Sequence, residues 1–354
     1  MQNKTPHYSK TEPNKLISIE RTINNKMKKL FIKLLLLFIS IVITVAFCEV
    51  FIRIFYDNFK NYNLEMWRYA LELKKPLSNN KLPFHHYSNS SGNYYGVDIT
   101  TNSFGFRDRE ISVNKSDSTN RMLFIGDSFT LGWGVPFDNI YSKVLEKKLN
   151  SCNNHYEVIN TGIGNYNSIM EVELFKLKGL EMKPNIIILM YFVNDVEPIP
   201  KISQLESSFI RNSYLFAFLF DKIQKISVLM NEDNNWKNYY SKLYSNENKN
   251  ALIQNKESLY ELINICKQKH INLIFVNIPE LHEIKEYPLS IATKYIENIA
   301  MEKNVRFIDL LDYLQKYEPE SLWISQEDVH ANSKANFIIA NIIYDKLIEW
   351  ELIH

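Results

Sequence analysis

The sequence predicts an α/β domain with a mostly parallel five-stranded sheet between helical layers, preceded by one N-terminal transmembrane helix. Three observations predict it. Short apolar runs alternate with longer amphipathic segments from about residue 120 onward, as strands alternate with crossover helices. The first run, Met122 to Ile125, stops at the turn Gly126-Asp127-Ser128. Far upstream, Leu34 to Ile52 is an almost unbroken apolar stretch of nineteen residues.

Residues 1 to about 26 are polar and read as a disordered tail, with Met27 as an alternative start. The stretch Leu34 to Ile52 spans roughly 28 Å at helical rise, close to the thickness of bilayer hydrocarbon. Lys26, Lys28, Lys29 and Lys33 precede it, and Arg53 and Asp57 lie just beyond it. That asymmetry keeps the N-terminus cytoplasmic and exports the C-terminal remainder of the chain. The organisation expected is a cytoplasmic tail at 1–33 and an anchor at 34–52 in the inner, cytoplasmic membrane. A membrane-proximal segment at 53–120 and a periplasmic or extracellular domain at 121–354 come next. A cleaved signal peptide is the rival reading, and it lacks a small-x-small cleavage site. A buried core helix is the other, and it lacks a polar face. Glu49 falls near the outer end, where an acid meets the interface at modest cost.

Within 53–120, Tyr94 to Ile99 reads as a strand, and Thr101 to Glu110 as a polar–aromatic loop in which Arg107 and Asp108 pair. Strands are expected at 122–126, 156–160, 184–192, 271–278 and 305–310. Helices are expected at 139–149, 167–182, 252–269, 291–303 and 333–351. A helical insertion at about 197–247 interrupts the alternation. Its segment Ser213 to Met230 is an apolar helix expected to pack on the core, with a lid or a membrane-surface seat as other roles. Asn231 to Asn250 is polar and reads as a loop.

Composition excludes several functions. A net charge of +1 leaves no footprint for nucleic acid. Cys48, Cys152 and Cys266 are too dispersed for a disulfide framework or a metal cluster. No His/Cys/carboxylate set has zinc spacing, so no metal or cofactor is expected. The phosphate-loop ending Gly-Lys-Ser/Thr is missing. Gly126-Asp127-Ser128-Phe129-Thr130 also lacks the second Gly of the α/β-hydrolase elbow.

The strand ends carry a set of nucleophilic-catalysis residues. Ser128 lies just past the first strand, where open parallel sheets build their sites. A serine there is a nucleophile once a base reaches it. His330 comes after the last strand and before the last helix. Asp328, two residues earlier, shares a side with it in extended chain, and Glu327 would take its place if the loop turned helically. Gly162, after the second strand, exposes an amide, and Asn194, after the third, offers a side-chain donor. With the Ser128 amide these are oxyanion donors. Asp127 and Asp195 are expected as supporting hydrogen-bond partners rather than metal ligands.

This ordered set resembles the SGNH hydrolases, also called the GDSL esterase/lipase family. The blocks are Gly126-Asp127-Ser128-Phe129, Asn160-Thr161-Gly162, Asn194-Asp195 and Asp328-Val329-His330. Departures are Phe129 for Leu, Phe192 for a common Gly, Ala331 for a common Pro, and Ala335-Asn336 for Gly-His. The resemblance covers about residues 120–350, and the N-terminal anchor with Asn102 to Arg107 also looks like membrane-anchored bacterial members. It implies a flavodoxin-like three-layer α/β/α form, the SGNH hydrolase fold. It implies a serine esterase in which Ser128 attacks, His330 is the base, and Asp328 or Glu327 orients it. The substrate implied is an ester, with acyl or acetyl groups on a surface or wall glycan. A glycan O-acyltransferase and a non-catalytic glycan-binding or assembly module are the alternatives.

Overall fold

A computed structural model of the chain describes residues 12–55, 61–152, 155–200, 213–230 and 235–353. These fall into two units: residues up to 56 with 213–215, and residues 57–212 with 216–354.

The first unit is dominated by α1 (Glu12–Phe55), 44 residues long. Its side chains from Leu34 to Phe47 are all exposed. No part of its apolar window is buried, so the core-helix reading is excluded. A helix that is apolar all round and unburied suits a membrane span or a signal segment. The disordered tail is corrected in part. Between Asn14 and Phe55 there is no Gly or Pro, and Pro13 sits in the first turn where it is tolerated, so the helix runs back to Glu12. Residues 1–11 of that expected tail lie outside the described residues.

The second unit opens with α2 (Tyr62–Leu73), capped by the Asn61 side chain accepting from the Leu64 amide. Strands β1 (Lys74–Pro76) and β2 (Phe84–His86) pair antiparallel. The expected strand at 94–99 is instead a hairpin of β3 (Ser91–Tyr94) and β4 (Val97–Thr100). Tyr95 and Gly96 both take left-handed φ, 52° and 79°, which reverses the chain in two residues.

The main sheet comprises β5 (Asn120–Gly126), β6 (Tyr156–Asn160), β7 (Ile186–Tyr191), β8 (Asn272–Asn277) and β9 (Arg306–Asp309). All neighbours are parallel, in the order β6-β5-β7-β8-β9. This is the flavodoxin-like order, and the chain reverses direction across the sheet between β5 and β7. Both strands are buried on both faces, which is why each reads as a continuous apolar run. Around the sheet lie α3 (Ser128–Leu131), α4 (Tyr141–Leu149), α5 (Ser168–Leu174), α6 (Tyr214–Met230) and α7 (Trp236–Leu243). Next in the chain are α8 (Lys249–Gln268), α9 (Ser290–Lys303), α10 (Leu311–Leu314) and α11 (Ser333–Glu349). A small antiparallel pair, β10 (Trp323–Ser325) and β11 (Asp328–Ala331), precedes α11.

Three expectations are corrected here. The tract 231–250 is not all loop: Asn235 caps α7, and Trp236, Tyr240 and Leu243 pack on the core from one face of it. Its polar composition hides that stripe. Residues 201–212 and 231–234 of the insertion lie outside the described residues. The helix expected at 167–182 is α only to Leu174, then widens over Phe175–Gly179. Arg107 and Asp108, finally, do not pair. Arg107 is buried and donates to the carbonyls of Asp98, Leu131, Gly132 and Val135. Burial lowers its pKa to about 10. Asp108 instead meets Lys143 Nζ at 2.7 Å and accepts from the Asn160 amide at 2.8 Å. The chain bends at Arg107 and Asp108, with the Asp108 amide donating to the Phe106 carbonyl at 2.8 Å, and the two side chains find separate partners.

Candidate active site

The end of β5 is where the site begins. Asp127 accepts from the Phe129 amide at 2.9 Å and so caps α3, whose first residue is Ser128. The first amides of a helix have no partner within it, so the Ser128 N–H stands among donors available to an anion. Gly132 closes α3 at φ 75°, a conformation open to glycine at no steric cost. Arg107 holds the carbonyls of Leu131 and Gly132, at 2.9 and 2.6 Å, and thereby fixes the other end of this single turn.

Across the cleft, β11 carries the remaining groups. Ser128 Oγ lies 2.8 Å from His330 Nε2. His330 Nδ1 lies 2.6 Å from Asp328 Oδ1. An ionised carboxylate only accepts, so Nδ1 carries the proton and Nε2 is left to accept from the Ser128 hydroxyl. The extended segment brings Asp328 and His330 to one side. It stays extended because β11 pairs with β10, and the loop expected at 327–330 is in fact a short strand. Trp133 donates its indole N–H to Asp328 Oδ2 at 3.0 Å, so both carboxylate oxygens are held. Glu327 is exposed on the β10–β11 turn, and Asp328 is the acid that meets the imidazole.

Gly162 and Asn194 lie just past β6 and β7, the strands on either side of β5. A side chain at Gly162 would strike the Leu131 amide nitrogen at 2.2 Å, so this residue lies directly against α3. The Gly162 amide donates to Asn160 Oδ1 at 2.9 Å, a bond an incoming oxyanion would have to share. Asn194 lies beside Asp127, where its side chain favours the charged carboxylate. Its own Oδ1 is buried without a partner. Burial nonetheless raises the Asp127 pKa, with the Phe129 amide and His330 acting the other way. Asp195 accepts from Ser168 Oγ at 2.9 Å. Burial, and then the neighbouring carboxylates, push Asp195 and Glu171 well above the usual range. Among the described residues no group of His, Cys, Asp and Glu is placed to hold a metal ion.

Two features have no counterpart in the sequence pattern. The His330 ring packs against two others, Phe129 at 4.8 Å and Tyr62 at 5.5 Å between centroids. Phe192 extends the wall, 4.5 Å from Phe129. Ser128 is left only 5% exposed. Tyr62 comes from α2, well before the serine in the chain, and no spacing rule connects them. Trp133 and Arg107 were equally silent, because a buried donor to a carboxylate or carbonyl has no sequence signature.

His330 titrates above the ordinary histidine value of 6.5. Burial pulls it down, but the charge of Asp328 and the hydrogen bond to it outweigh that. A base must be neutral to take a proton. Activity is therefore expected to fall as pH drops through a value above 6.5, and Asp328→Ala is expected to move that limb downward. A pH profile of kcat/KM on both proteins checks it, and an unshifted limb contradicts the assignment.

A hydroxyl, an imidazole and a carboxylate lie in series at the switch point of a flavodoxin-like sheet, and a family-model match identifies the chain as an ester-hydrolysing enzyme. Residues 122–343 match the family model described as GDSL-like Lipase/Acylhydrolase, which is more than half of the chain. The chain belongs to the GDSL-like lipase/acylhydrolase family. Among solved structures it is similar to the acetyl xylan esterase AlAXEase, at 17% identity and TM-score 0.41, covering 64% of this chain and 99% of that one. It is similar also to the psychrotrophic esterase EstA from Pseudoalteromonas sp., at 14% identity and TM-score 0.43, covering 65% and 98%. A third is TesA, at 12% identity and TM-score 0.43, covering 64% and 98%. No curated protein sequence matches the chain.

Proposed function

We propose that this chain is a membrane-anchored serine esterase that removes short acyl groups, of the acetyl class, from a glycan outside the cytoplasmic membrane. The observation that carries it is the continuous path from Ser128 Oγ to His330 to Asp328, at 2.8 and 2.6 Å. Ser128 attacks the ester carbonyl as His330 Nε2 takes its proton. Asp328 holds the tautomer and stabilises the imidazolium. The Ser128 amide, the Gly162 amide and the Asn194 side chain receive the developing oxyanion. His330 then returns the proton to the leaving alcohol, and water releases the acid by the same route reversed.

The rings around the site limit the acyl size. Tyr62 and Phe129 crowd the imidazole, Phe192 backs Phe129, and together they leave little room beside a nearly covered serine. The anchor is argued from α1, with 1–33 inside, 34–52 spanning, 53–120 proximal and 121–354 catalytic. The glycan is the ester-bearing partner that an anchored, outward-facing domain meets.

Phe192→Ala is expected to raise kcat/KM for butyryl and hexanoyl esters relative to acetyl by about tenfold or more, the value of a methylene or two in an apolar pocket. An unchanged chain-length profile would place the acyl group elsewhere. The function itself is tested by acetate release from O-acetylated glycan on incubation with membranes bearing the full chain. No release, with p-nitrophenyl acetate still cleaved, sinks the glycan assignment. A C-terminal alkaline phosphatase fusion is expected to be active, and an inactive one reverses the topology.

A further inference from the structure

Helix α6 turns large apolar side chains away from the protein. Phe216, Leu219, Phe220, Ile223 and Ile226 are all exposed. At 100° per residue they fall within an arc of about 120°, a single stripe. Asp221, on the opposite side of the helix, is buried. It accepts from Asn61 Nδ2 at 2.8 Å and Asn63 Nδ2 at 2.6 Å, which fixes the inward face and leaves the stripe outward. Five large apolar residues side by side on a surface mark a site of contact.

The start of the same helix indicates what covers the stripe. Glu49 of α1 accepts from Ser213 Oγ at 2.9 Å and from the amides of Tyr214 and Leu215 at 3.0 and 2.9 Å. The Arg53 guanidinium lies 4.5 Å over the Tyr214 ring. Glu49 is the one acid in the apolar run Leu34 to Ile52, an expensive place for a charge unless it is bonded. Here it caps α6. Three residues from the end of that run, it ties Ser213, Tyr214 and Leu215 to the apolar helix. Alongside the stripe an open groove of about 530 Å³, lined by Asn63, Trp67, Phe216, Ala217, Phe220 and Asp221, offers apolar walls to an acyl chain.

We propose that α6 is an interfacial helix whose stripe from Phe216 to Ile226 rests in the outer leaflet of a phospholipid bilayer, at the boundary of headgroups and acyl chains. This rests on the reading of α1 as an anchor, and it deepens that reading. Asn61 and Asn63, which hold Asp221, flank Tyr62, whose ring packs on His330. The helix that carries the stripe is thus joined to the site by a short chain of side chains.

The test uses the full chain in proteoliposomes of phosphatidylethanolamine and phosphatidylglycerol. The photoreactive residue benzoylphenylalanine replaces, singly, Leu37 in α1, Leu219 or Ile223 in α6, and the exposed Phe337 in α11. After irradiation, adducts are identified by mass spectrometry. Phospholipid adducts are expected at 37, 219 and 223 and not at 337. Adducts at 37 with none at 219 or 223 overturn the proposal and leave the anchor standing. Chain-to-chain adducts at 219 and 223 in place of lipid overturn it too, and assign the stripe to a second copy. No adduct at 37 removes the anchor and the proposal with it. Two positions in α6 guard against one variant failing to fold.

Discussion

Ser128→Ala is expected to lower ester hydrolysis by about 10⁴-fold or more, the loss seen when a triad nucleophile is removed. Its hydroxyl bonds to His330 Nε2 at 2.8 Å, and in the proposed mechanism this is the oxygen that gives up its proton. Removing one oxygen costs little stability, on the order of 1 kcal/mol, because Nε2 is left at the cleft where water replaces the hydroxyl. The measurement is steady-state cleavage of p-nitrophenyl acetate by wild type and variant, with thermal melting as the control. Fluorophosphonate labelling of the same two proteins reports the nucleophile directly. A loss below roughly tenfold, or labelling that persists in the variant, would take Ser128 out of the chemistry.

Asp328→Asn is expected to cost about 10⁴-fold in kcat while the fold persists. Asp328 receives three donors: His330 Nδ1–H and the His330 backbone N–H on Oδ1, and the Trp133 indole N–H on Oδ2. An asparagine has one acceptor oxygen and one NH₂. If the oxygen faces Trp133, the NH₂ faces Nδ1 and drives the imidazole into the other tautomer. Nε2 then carries a proton and accepts none from Ser128. If the oxygen faces His330, the NH₂ meets the indole N–H and a buried donor goes unpaired, at about 1–3 kcal/mol. The first outcome appears mainly as lost kcat, with a smaller fall in melting temperature because the His330 backbone N–H loses its acceptor, and the second mainly as lost stability. A variant that keeps both kcat and melting temperature near wild type would show that Asp328 does not orient the base. Glu327→Gln, on the exposed turn, is the matched control and is expected to leave kcat unchanged.

The correspondence between sequence and structure differs by kind of signal. The inner strands β5, β7 and β8 were legible because they are buried on both faces, which leaves an unbroken apolar run such as Ile186 to Tyr191, whereas the edge strands β6 and β9 carry polar residues among shorter apolar runs. Ser128, His330 and Asp328 were legible because a turn just past a strand, and two residues in extended chain, place side chains by local geometry alone. Arg107 was misread for the converse reason. Its partners are four backbone carbonyls, and a carbonyl leaves no trace in residue identity. The helix α7 was missed because Asn and Lys dilute the stripe of Trp236, Tyr240 and Leu243.

The sequence by itself determined the α/β class, the apolar N-terminal helix and the residues at each strand end, all consequences of interactions within a few residues of the chain. Only the tertiary structure decided that Asp328 rather than Glu327 faces the imidazole, that Tyr62 packs on the imidazole while Trp133 holds the other oxygen of Asp328, and that the Gly162 amide is shared with Asn160. Those outcomes depend on which distant segments come together. The energy that selects them is the burial and pairing of groups far apart in the chain, which no local pattern records.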